Sequence, residues 1–385
     1  MDFAFSPDQA LLRSAARGFL DERVTPAVVR ALWDDPRGES EALWKEMARL
    51  GWLGLGLPEV LGGSGLGMVE TALLLEELGR VAWPGPYLET ALAARALVVA
   101  GSDAQRRRWL PAVAAGDARA TVALLDRDLD WDPEATATSV DLGVDLGVDL
   151  GVEPGAEGGV RVSGVKRFVP WAHVADFLLV PAREPAGLSL FLVESSAPGV
   201  AVEPVAAMDP GTRWATVRLD AAPLGSEARV GSPGGAGPLL GELLRAGGVG
   251  AAAGLLGAAR RCLDMSVGYA KVREQFGQPI GAFQAIRHKL AEMLVEVENA
   301  HAATYYAAWA LDADAEDAPL AASVAKSYVG EAARKVCGEA IQVHGGIGFT
   351  WEYDLQLYVK RAKALEAAYG DADHHRELIV RRVTG

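Results

Sequence analysis

The sequence predicts a mostly α chain with a β domain set in its middle. Three observations lead there. Apolar residues recur at helical spacing up to about residue 119. They alternate with polar ones between about residues 120 and 232. They return to helical spacing through four long segments after residue 233. The expected domains are therefore an N-terminal helical domain at 1–119, a middle β domain at 120–232 and a C-terminal helical bundle at 233–385. A chain of 385 residues has room for two or three such units.

Taken in order, Ser6 stands before Leu11, Leu12, Ala15, Phe19 and Leu20, which suits an N-cap and an amphipathic helix. Leu43, Trp44, Met47 and Leu50 repeat the spacing, and Gly51 should stop that helix. A turn-rich stretch, LGLPEVLGGSGLG (55–67), follows. Val69 to Arg80 resumes a helix, with Leu73, Leu74, Leu75 and Leu78 inward and Glu76 and Glu77 expected at the surface. Then come short strand candidates: ATVALLD, GVRVSGVKRFVP, DFLLVPA, LSLFLVES, GVAVEPV and TVRLDAA. No helical pattern lies between them, which favours an antiparallel sheet or barrel over a doubly wound sheet. VDLG occurs three times between Val140 and Gly151, followed by VEPG. A period of four is too short for a solenoid unit and reads as an expanded acidic surface loop. From Pro238, the segments 239–269, 283–311, 320–343 and 355–368 are helical, with a short one after Asp373. Four long helices suggest a bundle.

Lys and Arg total 37 against 51 Asp and Glu, a net charge of −14. That balance disfavours nucleic acid and anionic membranes as partners, while leaving room for a local basic pocket. Cys262 and Cys337 both sit in alanine-rich helical patterns and read as buried free thiols, which suits a reducing cytoplasm. The N-terminal residues show no basic stretch before an apolar one, so they do not read as a signal peptide. The longest apolar run, Gly247 to Ala259, falls short of the roughly 20 residues of a membrane span.

Chemistry is expected in the last third of the chain. Arg273 offers a forked contact to a phosphate. Phe276 can cover an aromatic ring, Gly277 should end a helix and Gln284 should open the next. Gln342 falls at a helix end just before Gly345 and Gly346, a pair that lets backbone approach a ligand closely. Singly, these residues read as a surface arginine, a core phenylalanine and helix-stop glycines. Jointly they suit a dinucleotide. In DADHH (371–375), Asp371 and His375 stand four apart and suit a structural pair. Adjacent His374 and His375 diverge by about 100° on a helix and cannot aim at one metal.

These segments, in this order, resemble the acyl-CoA dehydrogenase family. YAKVREQFGQPIGAFQAIRHKLAEM is similar to its adenine-end FAD segment, and QVHGGIGFTWEYDLQLYVKRAK to its second FAD segment. GWLGLGLPEVLGGSGLGMVETALLLEELGR is similar to its N-terminal turn and helix, with Pro58, Glu59, Gly62, Gly63 and Gly65 in the turn. The resemblance covers nearly the whole chain. It implies an N-terminal helical domain, a middle β-barrel-like domain and a C-terminal four-helix bundle, assembled as dimers or tetramers with each FAD touching two subunits. The implied cofactor residues are Arg273, Phe276, Gln284, Gln342, Gly345 and Gly346. The implied reaction is α,β-desaturation of an acyl-CoA, with an electron-transferring flavoprotein reoxidising the flavin. In it a glutamate takes the α proton, a hydride passes to the flavin, and hydrogen bonds hold the thioester carbonyl.

The chain departs from the family pattern in three places. Tyr369 stands where the usual glutamate belongs, and a phenol, with a reference pKa of ~10 against ~4 for a carboxylate, is a donor rather than a base at neutral pH. The helix position that carries the glutamate in other members falls near Gly247, within the acid-free stretch RAGGVGAAAG (245–254). Glu366, one turn before Tyr369, and Glu242 are weak substitutes. The flavin-ring segments are also altered. LLDRDLDWDPEATATS (124–139) replaces the usual loop, and Pro170 in RFVPWAH replaces a hydroxyl residue. KRFVPWAHVAD and GDADHH resemble the steroid and bulky-acyl branch, where unequal subunits pair. Three readings follow: an active FAD enzyme with a displaced or partner-supplied base, a catalytically impaired subunit beside a complete dehydrogenase, or a member turned to another acyl-thioester reaction. The acyl group is not specified.

Overall fold

In a computed structural model of the chain, residues 4–126, 130–131, 151–154 and 159–384 are described, residues 151–154 by backbone alone. The VDLG repeat and most of the 124–139 segment lie outside them. Gly151, the last repeat residue, opens a strand. The chain divides into two compact units. One comprises residues 1–34, 67–84 and 248–385, the other residues 35–66 and 85–247.

The first unit is helical. It contains α1 (Pro7–Arg23), α2 (Pro26–Asp34), α4 (Met68–Arg80), most of α7 (Gly237–Val272), α8 (Gln284–Asp312), α9 (Ala318–His344), α10 (Leu355–Ala367) and α11 (Ala372–Thr384). Ser6 caps α1 as expected, in a reciprocal box with Gln9. The Asp312 carboxylate, at the end of α8, accepts from Met68 N and Val69 N at 2.6 and 2.9 Å and so caps α4. Helices α4 and α7 meet through glycine. A Cβ on Gly79 would lie 2.2 Å from the Gly254 carbonyl, and one on Gly257 2.0 Å from the Glu76 carbonyl. The apolar window of α7 is long enough to cross a membrane by length and composition, yet 78% of it is buried in protein.

Glu76 and Glu77 correct the sequence expectation. They are 1% and 0% exposed rather than at the surface. The helix face they occupy is covered by arginines from α1, α7 and the last residue of α4 itself. Arg13 and Arg260 reach Glu76 at 3.1 Å each, and the Tyr305 hydroxyl donates to it at 2.6 Å. Arg17 and Arg80 reach Glu77 at 2.6 and 2.7 Å. Burial alone would raise the Glu77 carboxyl, but its hydrogen bonds from Arg17 and Arg80 outweigh that and hold it below the ordinary range. Cys262 and Cys337 are buried free thiols, with sulfurs 3.6 Å apart between α7 and α9.

The second unit holds α3 (Glu41–Arg49), α5 (Tyr87–Ala100), α6 (Asp103–Ala114), the start of α7 and an eight-stranded sheet. Gly51 follows α3 in the left-handed region, at φ +78°. The strands are β1 (Ala120–Val122), β2 (Gly151–Pro154), β3 (Val160–Pro170), β4 (Phe177–Glu184), β5 (Gly187–Glu194), β6 (Val200–Val205), β7 (Trp214–Leu224) and β8 (Arg229–Val230). Their order is β6-β7-β3-β2-β4-β5-β8, with β1 beside β4. The sheet is antiparallel as expected, except that β1 and β2 each pair with β4 in parallel. Its core gathers Val162, Leu178, Val180, Phe191, Val193 and Val217, all from strand candidates of the sequence.

Candidate functional site

The elements that carry the expected cofactor residues converge on one small apolar cluster of the helical unit. Ala270 near the end of α7, Ile280, and Val343 near the end of α9 form it, with Tyr269, Phe283, Ile286 and Leu290 packed against them. Helix α7 ends at Val272, and the chain turns at once into a two-residue hairpin between β9 (Glu274–Gln275) and β10 (Gln278–Pro279). Phe276 and Gly277, at φ +54° and +80°, form its tip. Two successive left-handed residues suit the twist of a tight hairpin. Gly277 therefore makes a hairpin turn and does not end the helix. Gln284 opens α8, and Gln342 lies in the last turn of α9 before Gly345, as the sequence suggested.

The hairpin presents unused chemistry. Phe276 is 92% exposed and meets Phe283 edge-on at 6.0 Å. Arg273, Gln284 and Gln342 are exposed, and their side chains make no hydrogen bond or ion pair among the described residues. Gly345, at φ +63°, and Gly346 face open space where a side chain would stand. A free guanidinium, two free carboxamides, an uncovered ring and bare backbone fit the phosphate and adenine end of FAD. Among the described residues no cluster of His, Cys, Asp and Glu could hold a metal.

Tyr369 lies between α10 and α11 in the same unit. It is 7% exposed and its φ is +56°. The two carboxylates that the sequence offered as substitutes are engaged. Glu366 is paired with Lys363 at 2.6 Å and Arg334 at 3.3 Å. Glu242, in the sheet-bearing unit, is paired with Arg95 at 2.7 Å. Asp371 and His375 do not form the expected side-chain pair. The Asp371 carboxylate accepts from His374 N at 2.9 Å and caps α11, while His375 Nε2 lies 2.9 Å from the Tyr369 carbonyl. The competition is local, because an aspartate at a helix start is best placed for its own backbone.

Pro170 ends β3 opposite Trp214. Phe168 and Trp171, on either side of it, have φ values of +50° and +57°. Earlier in β3, Lys166 is fully buried in an ion pair with Asp126, and burial pulls its ammonium below the ordinary range.

Sequence reading passed over Lys326. It is fully buried in α9 and donates from Nζ to the carbonyls of Glu366 and Gly370 at 2.8 and 2.7 Å. The signal was available. Ala322 and Val329 stand four before it and three after it on the apolar face, so a lysine between them demands a buried acceptor.

Two family models match this chain: the acyl-CoA dehydrogenase N-terminal domain over residues 6–117 and the acyl-CoA dehydrogenase C-terminal domain over residues 239–384. The chain belongs to the acyl-CoA dehydrogenase family. It is 32% identical to the acyl-CoA dehydrogenase IpdE2 of Mycobacterium tuberculosis, over 92% of this chain and 91% of that one. Among solved structures, a steroid acyl-CoA dehydrogenase variant, Tcur3481-Tcur3483, is 32% identical with a TM-score of 0.84 over 98% of each chain. The ChsE4-ChsE5 complex from Mycobacterium tuberculosis is 31% identical with a TM-score of 0.87, over 100% of this chain and 99% of that one.

Proposed function

We propose that this member of an oxidoreductase family is an FAD-binding subunit for α,β-desaturation of a bulky acyl-CoA, acting beside a second dehydrogenase subunit that supplies the base. One observation carries the reading. The sequence count puts Tyr369 where the family's glutamate is expected, and the two substitutes the sequence offers, Glu366 and Glu242, are held in ion pairs. A carboxylate already balanced by cations is a poor acceptor for an α proton.

The residues of this chain then divide the work. Arg273 pairs with a phosphate, Phe276 covers the adenine, and Gln284 and Gln342 hydrogen-bond the polar edge of the cofactor. Gly345 and Gly346 admit it against the backbone. When bound, FAD supplies a hydride acceptor for the β carbon. Tyr369 takes no proton from substrate; its hydroxyl is a donor. Electrons would leave through an electron-transferring flavoprotein. The proposed domain boundaries remain 1–119, 120–232 and 233–385, and the proposed compartment is the cytoplasm. Similarity to proteins described as a steroid acyl-CoA dehydrogenase and as a ChsE4-ChsE5 complex supports both the bulky acyl group and the mixed assembly.

Co-expression with a complete acyl-CoA dehydrogenase encoded beside this gene tests the reading. A stable mixed complex with about one flavin per pair of unlike chains is expected. A homo-oligomer that carries a full complement of flavin and ignores the second chain would refute it.

A further inference from the structure

The turn that carries Tyr369 is gripped from two sides. Lys326 reaches across from α9 and donates to Glu366 O and Gly370 O, at 2.8 and 2.7 Å. His375, from α11, lies with Nε2 2.9 Å from Tyr369 O. A carbonyl only accepts, so Nε2 carries the proton. Three backbone carbonyls within five residues are thus bonded by two side chains from two other helices. Neither side chain hydrogen-bonds a carboxylate: the buried lysine bonds neutral carbonyls, and His375 is 5% exposed with Nδ1 unpartnered.

The backbone between them is strained. Tyr369 is left-handed at φ +56° and Gly370 follows at φ +94°. A tyrosine keeps such a conformation only where its surroundings impose it. Gly370 shows how close the grip is, since a Cβ there would lie 2.5 Å from the His374 ring and 3.0 Å from His375 Nε2. The glycine-rich part of α7 closes the third side. A Cβ on Gly248 would stand 3.8 Å from both the His375 ring and Lys326.

We propose that Lys326 and His375 are positioning residues that lock the Glu366–Gly370 turn and so fix the direction of the side chain at position 369. The inference deepens the reading above and rests on its assignment of position 369 to the acyl site. The grip itself concerns backbone, so it would serve a glutamate at 369 as well as the tyrosine present.

The test uses the full chain labelled with 3-fluorotyrosine, with Y369F assigning the fluorine resonance of position 369. One narrow resonance is expected in the parent. K326M and H375L, which remove the donors, should shift or split it. H375Q, whose amide can still donate to Tyr369 O, should keep it. Circular dichroism checks that each variant is folded. An unchanged resonance in folded K326M and H375L overturns the proposal, as does an equal change in H375Q and H375L. A response to only one of the two residues overturns the joint grip. Where the variants do not fold, nitrogen-15 shifts of histidine in the unaltered protein at neutral pH decide. A proton on Nε2 of His375 is required, and one on Nδ1 refutes the proposal. None of these readouts needs flavin, substrate or a second subunit, so failure of the proposed function leaves them intact.

Discussion

His375 has a titration set by its surroundings. Burial first, then the nearby Lys326 ammonium, pushes it down to about 4 from an ordinary 6.5. Its unfolded form therefore binds a proton in a pH range where the folded form does not. The stability tied to this group is fully present above pH 6.5 and is lost as pH falls through about 4. The difference of about two and a half units corresponds to about 3 kcal/mol. Urea unfolding of the parent and H375Q from pH 7 to pH 4.5 should show a shallower decline in the variant. Parallel curves would mean that His375 titrates normally. At the other end of the unit, R273A should weaken FAD retention by one lost phosphate contact, about tenfold at a charge-assisted bond of roughly 1.5 kcal/mol. Equilibrium dialysis measures it, and unchanged retention would remove Arg273 from the site. The helix ends at or beside which Arg273, Gln284 and Gln342 stand were legible because the apolar spacing stops and restarts there. The grip on residue 369 was not, because its acceptors are backbone carbonyls and carry no residue type.

Among the elements, α4 was read correctly in extent and wrongly in exposure. Its leucines mark one face, but Glu76 and Glu77 occupy another that α1, α7 and α8 cover with Arg13, Arg17, Arg260 and Tyr305. Nothing local to α4 reveals those partners, which lie about sixty residues or more away in sequence. The consequence is measurable. E77Q removes the carboxylate shared by Arg17 and Arg80, leaves the 7% exposed Arg80 with Asp21 at 2.9 Å as its remaining ion pair, and should cost about 3 kcal/mol. A lower urea midpoint at an unchanged slope would report it. A loss below about 1 kcal/mol would mean that the arginines find other partners. The hairpin at Phe276–Gly277 carries the same lesson on a smaller scale. A glycine after a helix pattern suggests a stop, and only the pairing of Gln275 with Gln278 distinguishes a hairpin tip from a C-cap.

For the whole molecule, the change from helical to alternating spacing and back was enough to place the sheet and the long C-terminal helices. Six strand candidates correspond to β1, β3, β4, β5, β6 and β7, whereas β2 opens on the last residue of the VDLG repeat, which reads as a loop, and β8 is only two residues long. Less legible was how the N-terminal residues sort. Helices α1, α2 and α4 pack with the bundle, and α3, α5 and α6 with the sheet, a division set by tertiary contacts rather than by order along the chain. The exposed Arg273, Phe276, Gln284 and Gln342 are proposed to hold the adenine end of FAD, while position 369 holds a phenol. The central claim is that this chain binds flavin chemistry it cannot start alone. Anaerobic absorbance spectra of the FAD-loaded chain, taken by itself and in complex with a complete dehydrogenase subunit, test it most directly when a bulky acyl-CoA is added. The account predicts that the flavin band persists in the chain alone and bleaches in the mixed complex. Rapid bleaching of the isolated chain would contradict it.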